Sequence, residues 1–177
     1  MLPKILVHIC CAPDGLYVLK LLQTHYQVTG YFYNPNIHPI EEYQLRLKET
    51  LKIGQFLQIP IICGEYEDKF WFQATAHFKN EPEKGRRCDI CYALRLAKTA
   101  QVASSRNFDF FTTTLTLSPW KKASVINHIG RMLGKKWGIN FLEADFKKKN
   151  GFKKSVELSR QYGLYRQNYC GCLYSQR

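Results

Sequence analysis

Short apolar runs alternate along the chain with longer segments in which large apolar residues recur every three or four positions. The first pattern is typical of buried strands, and the second predicts amphipathic helices. The predicted strands cover residues 4–9, 27–33, 59–63, 108–114 and 139–142, and the predicted helices cover about 16–22, 40–57, 92–102, 123–133 and 155–162. Aromatic residues between 66 and 78 indicate a further helix or a lid over the sheet.

This alternation predicts one α/β domain, with a mainly parallel sheet, right-handed crossovers and flanking helices in three layers. The length of 177 residues suits a single catalytic domain with a core of its own. In such a sheet, ligands bind beyond the carboxyl ends of the strands. The loops after the first, second and fourth strands, at 10–15, 34–39 and 115–122, are therefore expected to meet at one edge and form the site.

The chain carries 26 Lys and Arg residues against 14 Asp and Glu residues, a formal net charge of +12. Such an excess favours a polyanionic partner through long-range attraction and counterion release, although solubility alone is the alternative explanation. No apolar run reaches the roughly 20 residues that span a bilayer, and the run after Lys4 is too short for a signal peptide. We therefore expect a cytoplasmic protein without a membrane partner.

Six of the seven cysteines occur in close pairs. The pairs are Cys10 with Cys11, Cys88 with Cys91, and Cys170 with Cys172. The seventh, Cys63, stands alone in an apolar strand, where we expect it to be buried by packing. In a reducing cytosol, such pairs indicate metal binding or catalysis rather than disulfides. A single C-x-x-C also arises in redox dithiols, in zinc sites and by chance, but three close pairs favour a metal centre.

The spacing of these pairs favours an iron–sulfur cluster over zinc. A structural zinc site takes four ligands with the spacing of a ribbon or a finger, whereas the pairs here are about 80 residues apart. A cluster accepts four thiolates from scattered positions, so six cysteines leave a surplus for a second metal. Asp14 lies one helical turn after Cys11, and its carboxylate would complete a second site suited to iron. The alternative is that Asp14 only caps the helix that follows.

Five segments together carry a resemblance to a known family. In chain order they read HICCAP at 8–13, YNPNIHP at 33–39, RCDICYALRL at 87–96, TTLTLSPWK at 113–121 and YCGC at 169–172. In this order, and over nearly the whole chain, they closely resemble the epoxyqueuosine reductases of the QueH type, which need no cobalamin.

The resemblance implies a fold of the nucleotide α-hydrolase and PP-loop (HUP-like) kind, and an oxidoreductase that performs the final step of queuosine biosynthesis. In that step, a two-electron reduction removes the epoxide oxygen of epoxyqueuosine at the wobble position of a tRNA. The implied cofactors are a 4Fe-4S cluster and an adjacent second metal ion, which we expect to be iron, with an external electron donor. The family pattern usually has a cysteine where this chain has Asp14, so a carboxylate replaces a thiolate here.

All six paired cysteines and Asp14 are expected to bind metal. Because neighbouring residues on a tight turn usually aim their side chains apart, we assign Cys10 and Cys11 to different metals. The expected ligands of the cluster are Cys10, Cys88, Cys91 and Cys172, and those of the second metal are Cys11, Asp14 and Cys170.

Asp14, His8 and Lys121 are the candidates for catalysis, because the departing oxygen must be held and protonated near the metals. A packed core histidine is the alternative for His8, and a solvated lysine is the alternative for Lys121. The candidates for substrate binding are Tyr33, Asn34, Asn36, His38, Ser118 and Arg86, with loop packing as the alternative for the asparagines and His38. The tail, about 163–177, is expected to fold back on the active site, where its aromatic and basic residues suit either base stacking or packing.

Two other functions remain open from the sequence. A tRNA thiolase of the PP-loop type would need ATP, but the loop at 10–15 has a single glycine and an acid that would repel a pyrophosphate. A non-catalytic zinc module that binds RNA would need only the basic charge. A requirement for ATP would identify the first, and zinc without iron would identify the second.

Overall fold

The computed structural model describes residues 1–175, in which five parallel strands form one sheet. The strands are β1 Lys4–His8, β2 Gln27–Phe32, β3 Ile61–Cys63, β4 Phe110–Thr113 and β5 Asn140–Phe141, arranged in the order β3-β2-β1-β4-β5. The helices are α1 Ala12–Leu22, α2 Ile40–Leu57, α3 Asp68–Thr75, α4 Arg86–Ser105, α5 Ala123–Trp137 and α6 Gly151–Gln161, with short 3₁₀ helices at Ala76–Phe78, Thr114–Leu117 and Leu173–Ser175. Within this part of the chain, no helix is both long and apolar enough to cross a membrane.

Helices cover both faces of the sheet, which confirms the three-layer α/β architecture predicted from the sequence. Alternate residues of the central strand β1 point to opposite faces. On one face, Ile5 packs in a cluster with Leu16 of α1 and Ile53 of α2. On the other face, Leu6 packs in a cluster with Ala100 of α4. Because β1 is covered on both sides, its sequence reads as a continuous apolar run.

The strand order reverses at β1. The chain first adds β2 and β3 on one side of β1, and then returns to add β4 and β5 on the other side. Ligand crevices in open parallel sheets form at this reversal, beyond the carboxyl ends of the strands. The two loops that meet there are joined directly, since the Cys10 amide donates a hydrogen bond to Thr114 Oγ1 at 3.3 Å.

The first turn of α1 lies close to the sheet because residue 15 is a glycine. A Cβ atom at Gly15 would stand 2.8 Å from Ile53 Cδ1 and 2.9 Å from Ile9 Cγ2. Pro13 sits in this same turn, where a helix tolerates the missing N–H group. Together, Pro13 and Gly15 allow α1 to begin directly at the end of β1, which positions Cys11 and Asp14.

Some elements differ from those predicted. The helix α4 begins at Arg86 rather than near residue 92, so the C-x-x-C pair lies within its first two turns. The end of the predicted fourth strand is instead the 3₁₀ helix Thr114–Leu117. The sequence predicts a buried Cys63, and this prediction is wrong, because Cys63 is exposed. It ends the edge strand β3, which has a neighbouring strand on one side only.

Candidate functional site

Three potential metal ligands stand together where β1 ends and α1 begins. Cys10 Sγ lies 3.9 Å from Cys11 Sγ and 3.7 Å from Asp14 Oδ2, and the ligand atoms of all three lie within 4.8 Å of one another. Within residues 1–175, this is the one group of three or more such ligands that is so compact. Helical side chains tilt toward the helix N-terminus, so Asp14, in the first turn of α1, reaches back toward Cys10.

This geometry corrects two expectations from the sequence. The thiols of Cys10 and Cys11 do not point apart, because Cys11 has an extended backbone at the start of α1 that leaves the two sulfurs in contact range. The argument that assigned Cys10 and Cys11 to different metals, which required their thiols to point apart, therefore does not hold. Asp14 is also not the helix cap, since Cys11 occupies that position and no side-chain cap hydrogen bond forms.

The ionisation of Cys10, Cys11 and Asp14 favours a bound cation. The adjacent Cys11 thiol lowers the pKa of Cys10 well below its ordinary value, against the effect of burial, while the contact with Cys10 raises the pKa of Cys11. Burial, followed by the charge of Cys10, raises the pKa of Asp14 to about 8. The three groups cannot all ionise at neutral pH without a bound cation. Two soft sulfurs and one hard oxygen form a donor set that fits a transition-metal ion such as iron.

The other four paired cysteines form a second, looser group. Cys88, Cys170 and Cys172 line one small cavity, and Cys91 is buried with Cys172 against Trp71. Among the described residues, no three of these four thiols come within 4.8 Å of one another. In a cluster, each cysteine binds a different iron, so its ligands stand farther apart than the ligands of one ion. The four thiols therefore do not form the compact ligand set that a single metal ion takes.

An open cleft of about 240 Å³ connects the two groups. Cys10, Asp14 and Cys170 all line it, and Cys170 also lines the smaller cavity. Lys121 lines both spaces and is partly buried, so it is not a freely solvated lysine. Burial alone would lower the pKa of Lys121, but the Cys170 and Cys10 thiols raise it above its ordinary value. The ammonium group thus stands between the two sets of potential ligands.

Arg95 is a second cation on the cleft. Its side chain is 1% exposed, and its Nε donates a hydrogen bond to the Cys91 carbonyl at 3.3 Å. Burial opposes its charge, whereas the neighbouring Cys91 and Cys170 thiols raise its pKa. An arginine within a helix ordinarily lies on the solvent face. The thiols around Arg95 account for its inward placement, because their negative charge stabilises the guanidinium.

His8 is packed into the sheet rather than presented to the cleft. Its Nδ1 lies 2.9 Å from Thr113 Oγ1 and its Nε2 lies 3.1 Å from the Tyr33 carbonyl, and the ring is fully buried. Burial, followed by the charge of Arg95, lowers the pKa of His8 to about 3. A fully buried ring with both nitrogens engaged in the fold is not placed to give a proton to a substrate in the cleft. The core-histidine alternative therefore describes His8, and the catalytic assignment is corrected.

Among the residues predicted to bind substrate, Ser118 lines the main cleft. Tyr33 instead donates a hydrogen bond to Glu67 Oε2 at 2.8 Å, and Asn34 Nδ2 donates to the Ile9 carbonyl at 2.8 Å. Asn36 is fully buried in the same loop. The Tyr33 and Asn34 contacts follow the loop-packing alternative, because they build the wall beside the site, whereas the buried Asn36 amide has no hydrogen-bond partner among the described residues.

His38 and Arg86 also lie outside the cleft lining. The His38 ring packs 4.6 Å from Phe72, and its Nδ1 lies 3.0 Å from the Tyr66 hydroxyl. Arg86 is exposed at the start of α4, where its amide donates to Glu81 Oε2 at 3.0 Å. The His38 ring belongs to an aromatic wall, whereas the Arg86 side chain is available to a partner from solvent.

The described part of the tail, residues 163–175, approaches the site and is held there by a buried arginine that sequence reasoning missed. Residues 176 and 177 of the predicted tail lie outside the described part of the chain. Arg46 Nη1 donates to the Cys170 carbonyl and Nη2 donates to the Tyr169 carbonyl, both at 3.1 Å. The Tyr169 hydroxyl donates to the His38 carbonyl, and the His38 amide donates to the Gly171 carbonyl at 2.8 Å. The only signal in the sequence is the helical spacing of Arg46 and Glu42, which form an ion pair of 2.7 Å.

The fold and the site together define a parallel α/β protein with potential thiol and carboxylate ligands at the carboxyl end of its central strand. Comparison with known proteins agrees with this class. A family model described as "Epoxyqueuosine reductase QueH" matches residues 5–177. The QueH epoxyqueuosine reductase of Streptococcus pyogenes serotype M1 is 40% identical over 186 residues, covering 99% of this chain and 71% of that protein. The QueH of Thermotoga maritima is 38% identical over 177 residues, covering 97% and 89% of the two chains.

The chain therefore belongs to the QueH family of epoxyqueuosine reductases, which are oxidoreductases of queuosine biosynthesis.

Two solved structures share the fold. One is the U34-tRNA thiolase NcsA from Methanococcus maripaludis with its [4Fe-4S] cluster, with a TM-score of 0.62, 15% identity, and coverage of 99% of this chain and 62% of that chain. The other is a predicted subunit of tRNA methyltransferase from Methanocaldococcus jannaschii, with a TM-score of 0.59, 13% identity, and coverage of 89% and 76%. At this level of identity, the likeness concerns the fold alone.

Proposed function

We propose that this chain reduces epoxyqueuosine at the wobble position of a tRNA, using an iron–sulfur cluster beside a second metal ion. The observation that carries the proposal is the arrangement of ligands around one cleft. A compact group of two thiols and a carboxylate lies beside four further thiols, and Cys170 of the second group lines the same cleft as Cys10 and Asp14. A redox centre and an oxygen-binding ion would then face a single substrate.

The geometry supports a division of ligands that differs from the one expected from the sequence. Cys10, Cys11 and Asp14 would hold the single ion, because their ligand atoms are the compact set. The four looser thiols, Cys88, Cys91, Cys170 and Cys172, would hold a 4Fe-4S cluster. When bound, a cluster supplies electrons one at a time, and an ion with an open position supplies Lewis acidity toward an oxygen.

The reaction breaks both carbon–oxygen bonds of the epoxide. Two electrons and two protons convert the epoxide to a carbon–carbon double bond and water, and an external electron donor must supply the electrons. Lys121 lines the cleft, and its ammonium group would hold the departing oxygen and give it a proton. The buried guanidinium of Arg95 lines the same cleft and would stabilise negative charge as it develops on that oxygen.

The charge of the chain supports a tRNA substrate. A formal net charge of +12 attracts a polyanion and releases its counterions on binding. A cytoplasmic location follows from a tRNA substrate and from thiol ligands that need a reducing environment. The alternative of an ATP-dependent thiolase has less support, because Asp14 and two thiols occupy the turn where a pyrophosphate would have to bind.

The test is a mass analysis of nucleosides. Reduced, metal-replete protein is incubated anaerobically with tRNA that contains epoxyqueuosine, and the digested nucleosides are compared with those from a mixture that lacks protein. The proposal expects the modified nucleoside to lose the mass of one oxygen without added ATP. An unchanged mass, or a product that forms only with ATP, would contradict it.

A further inference from the structure

Trp120 is an exposed aromatic residue at the mouth of the site. Its side chain is 66% exposed, and it lines both the main cleft and the smaller cavity. The turn that carries it is ordered, because the Trp120 amide donates to Ser118 Oγ at 3.3 Å and the Lys121 amide donates to the Ser118 carbonyl at 3.2 Å. Tryptophan buries a large apolar surface when it finds a partner, so an indole held in solvent beside a cleft indicates an interaction surface.

The other aromatic residues of the main cleft are already engaged within the protein. The Tyr169 hydroxyl donates to the His38 carbonyl, and its ring lies 5.2 Å from the Arg46 guanidinium carbon. Phe152 is partly buried in α6. The tail therefore does not offer the free stacking face that its sequence suggested. Among the described residues that line this cleft, Trp120 is the exposed aromatic.

One lysine lies over this indole and two more follow it in the chain. Lys84 Nζ lies 5.3 Å from the centre of the Trp120 ring, and Lys121 and Lys122 follow Trp120 in the chain. Lys84 and Lys122 are exposed, and Glu83 is the acidic residue that accompanies them at the rim. An aromatic face bordered by ammonium groups matches a nucleotide, whose base stacks and whose phosphate is negative.

We propose that Trp120 stacks against an unpaired base of the substrate RNA next to the modified nucleotide, while Lys84 and Lys122 contact the adjoining phosphates. This inference rests on the proposed function, and it adds the part of the substrate that the rim recognises. Bases in the single-stranded loop of an RNA are free to stack on aromatic side chains, whereas paired bases are not. The stacked base would fix the register of the loop, so that the wobble nucleotide enters the cleft.

The test compares Trp120→Ala and Trp120→Phe with a matched control. The control is Phe56→Ala, because Phe56 is also exposed, at 48%, and has Lys52 Nζ at 5.8 Å, but lies outside both cavities. Fluorescence anisotropy with a labelled anticodon stem-loop RNA gives the dissociation constant, and turnover of tRNA bearing epoxyqueuosine gives KM and kcat. Intrinsic fluorescence reports stacking through the difference between wild type and Trp120→Phe, because a stacked base quenches the Trp120 indole and the other two tryptophans are present in both proteins.

We expect Trp120→Ala to weaken RNA binding about tenfold and to raise KM similarly, with kcat within about twofold of wild type. Trp120→Phe should stay within about threefold of wild type and should lose most of the fluorescence quenching, and Phe56→Ala should match wild type. RNA affinity of Trp120→Ala within twofold of wild type would overturn the inference. Unchanged RNA affinity with slower reduction by the electron donor would do the same, and would assign this surface to a redox partner.

The two proposals fail in different ways. If wild-type protein converts the tRNA and Trp120→Ala binds and converts it equally well, the inference about Trp120 is wrong and the proposed function stands. If wild-type protein binds RNA without converting epoxyqueuosine, the proposed function fails, while the difference in RNA affinity between wild type and Trp120→Ala still decides the inference.

Discussion

Arg46 Nη1 donates a hydrogen bond of 3.1 Å to the carbonyl oxygen of Cys170, a residue 124 positions later in the chain. The same guanidinium bonds the Tyr169 carbonyl and pairs with Glu42, and its side chain is 2% exposed. Arg46 thus joins α2 to the backbone that carries Cys170 and Cys172. The placement of these two thiols rests on a buried side chain that also lines the main cleft.

We expect Arg46→Met to cost about 3 kcal/mol of unfolding free energy, because it leaves the mostly buried Glu42 carboxylate without its cationic partner, with only the Tyr165 hydroxyl still bonded to it. The iron content should fall as well, because the Cys170 and Tyr169 carbonyls each lose a donor. Arg46→Lys should recover part of the stability but less of the iron, since one ammonium cannot make the three planar contacts of a guanidinium. Denaturant unfolding and iron analysis provide the two measurements.

The control for Arg46 is Lys52→Gln, which removes a long ion pair of 3.9 Å between an exposed lysine and Glu49 on the same helix. Exposed pairs contribute about 0.5 kcal/mol, so this variant should keep wild-type stability and iron. Full iron content and activity in Arg46→Met would show that the hydrogen bonds from Arg46 to the Cys170 and Tyr169 carbonyls do not position the tail thiols.

The Asp14→Asn variant tests the compact group independently of the four looser thiols. The amide has the size of the carboxylate but lacks its charge, so the compact group should lose affinity for its ion while the four other thiols keep the cluster. We expect unchanged cluster absorbance, one metal ion fewer per chain, and kcat lower by about 100-fold. Asp14→Cys, which restores an anionic donor, should keep the full metal content. Wild-type turnover in Asp14→Asn would mean that the carboxylate is not a ligand.

Cys88→Ala and Cys63→Ala form a matched pair. Cys88 lines the cavity of the four looser thiols, whereas Cys63 is exposed at the end of the edge strand. We expect Cys88→Ala to lose the absorbance and most of the iron of the cluster, because one of four thiolates is missing. Cys63→Ala should keep the iron, the absorbance and the turnover of wild type. Equal iron in the two variants would remove Cys88 from the ligand set.

Tyr33→Phe tests whether Tyr33 supports the fold or touches substrate. The Tyr33 hydroxyl and Lys98 both bond Glu67 Oε2, at 2.8 and 3.1 Å, and together they lower the pKa of Glu67. The lowered pKa means that this stabilisation is present above pH 4.5 and is lost as the pH falls through the folded-state pKa. We expect Tyr33→Phe to cost about 1 kcal/mol at pH 7 and progressively less in acid.

Turnover measurements distinguish a role of Tyr33 in the fold from a contact of Tyr33 with substrate. A packing role predicts that KM for the tRNA stays within twofold of wild type in Tyr33→Phe. A higher KM with unchanged stability across the pH range would instead support the substrate contact that the sequence suggests.

The sequence was informative where chemistry follows from residue type and spacing. The apolar runs predicted the parallel sheet, and the three cysteine pairs pointed to the edge where the thiols are found. The relation of Cys10 to Cys11 could not be predicted, because it depends on the extended backbone of Cys11 at the start of α1. Arg46 could not be found either, since its distant partners are backbone carbonyls, which every residue has.

The most direct test of the account measures electrons against product. Metal-replete protein is given tRNA bearing epoxyqueuosine and a limiting, titrated amount of chemical reductant under anaerobic conditions, and the queuosine formed is quantified by mass. The account predicts one queuosine for every two electrons consumed, with no ATP present, and no product from Asp14→Asn that exceeds about a hundredth of the wild-type rate. Electrons consumed without loss of oxygen from the nucleoside, or product that appears only when ATP is added, would contradict it.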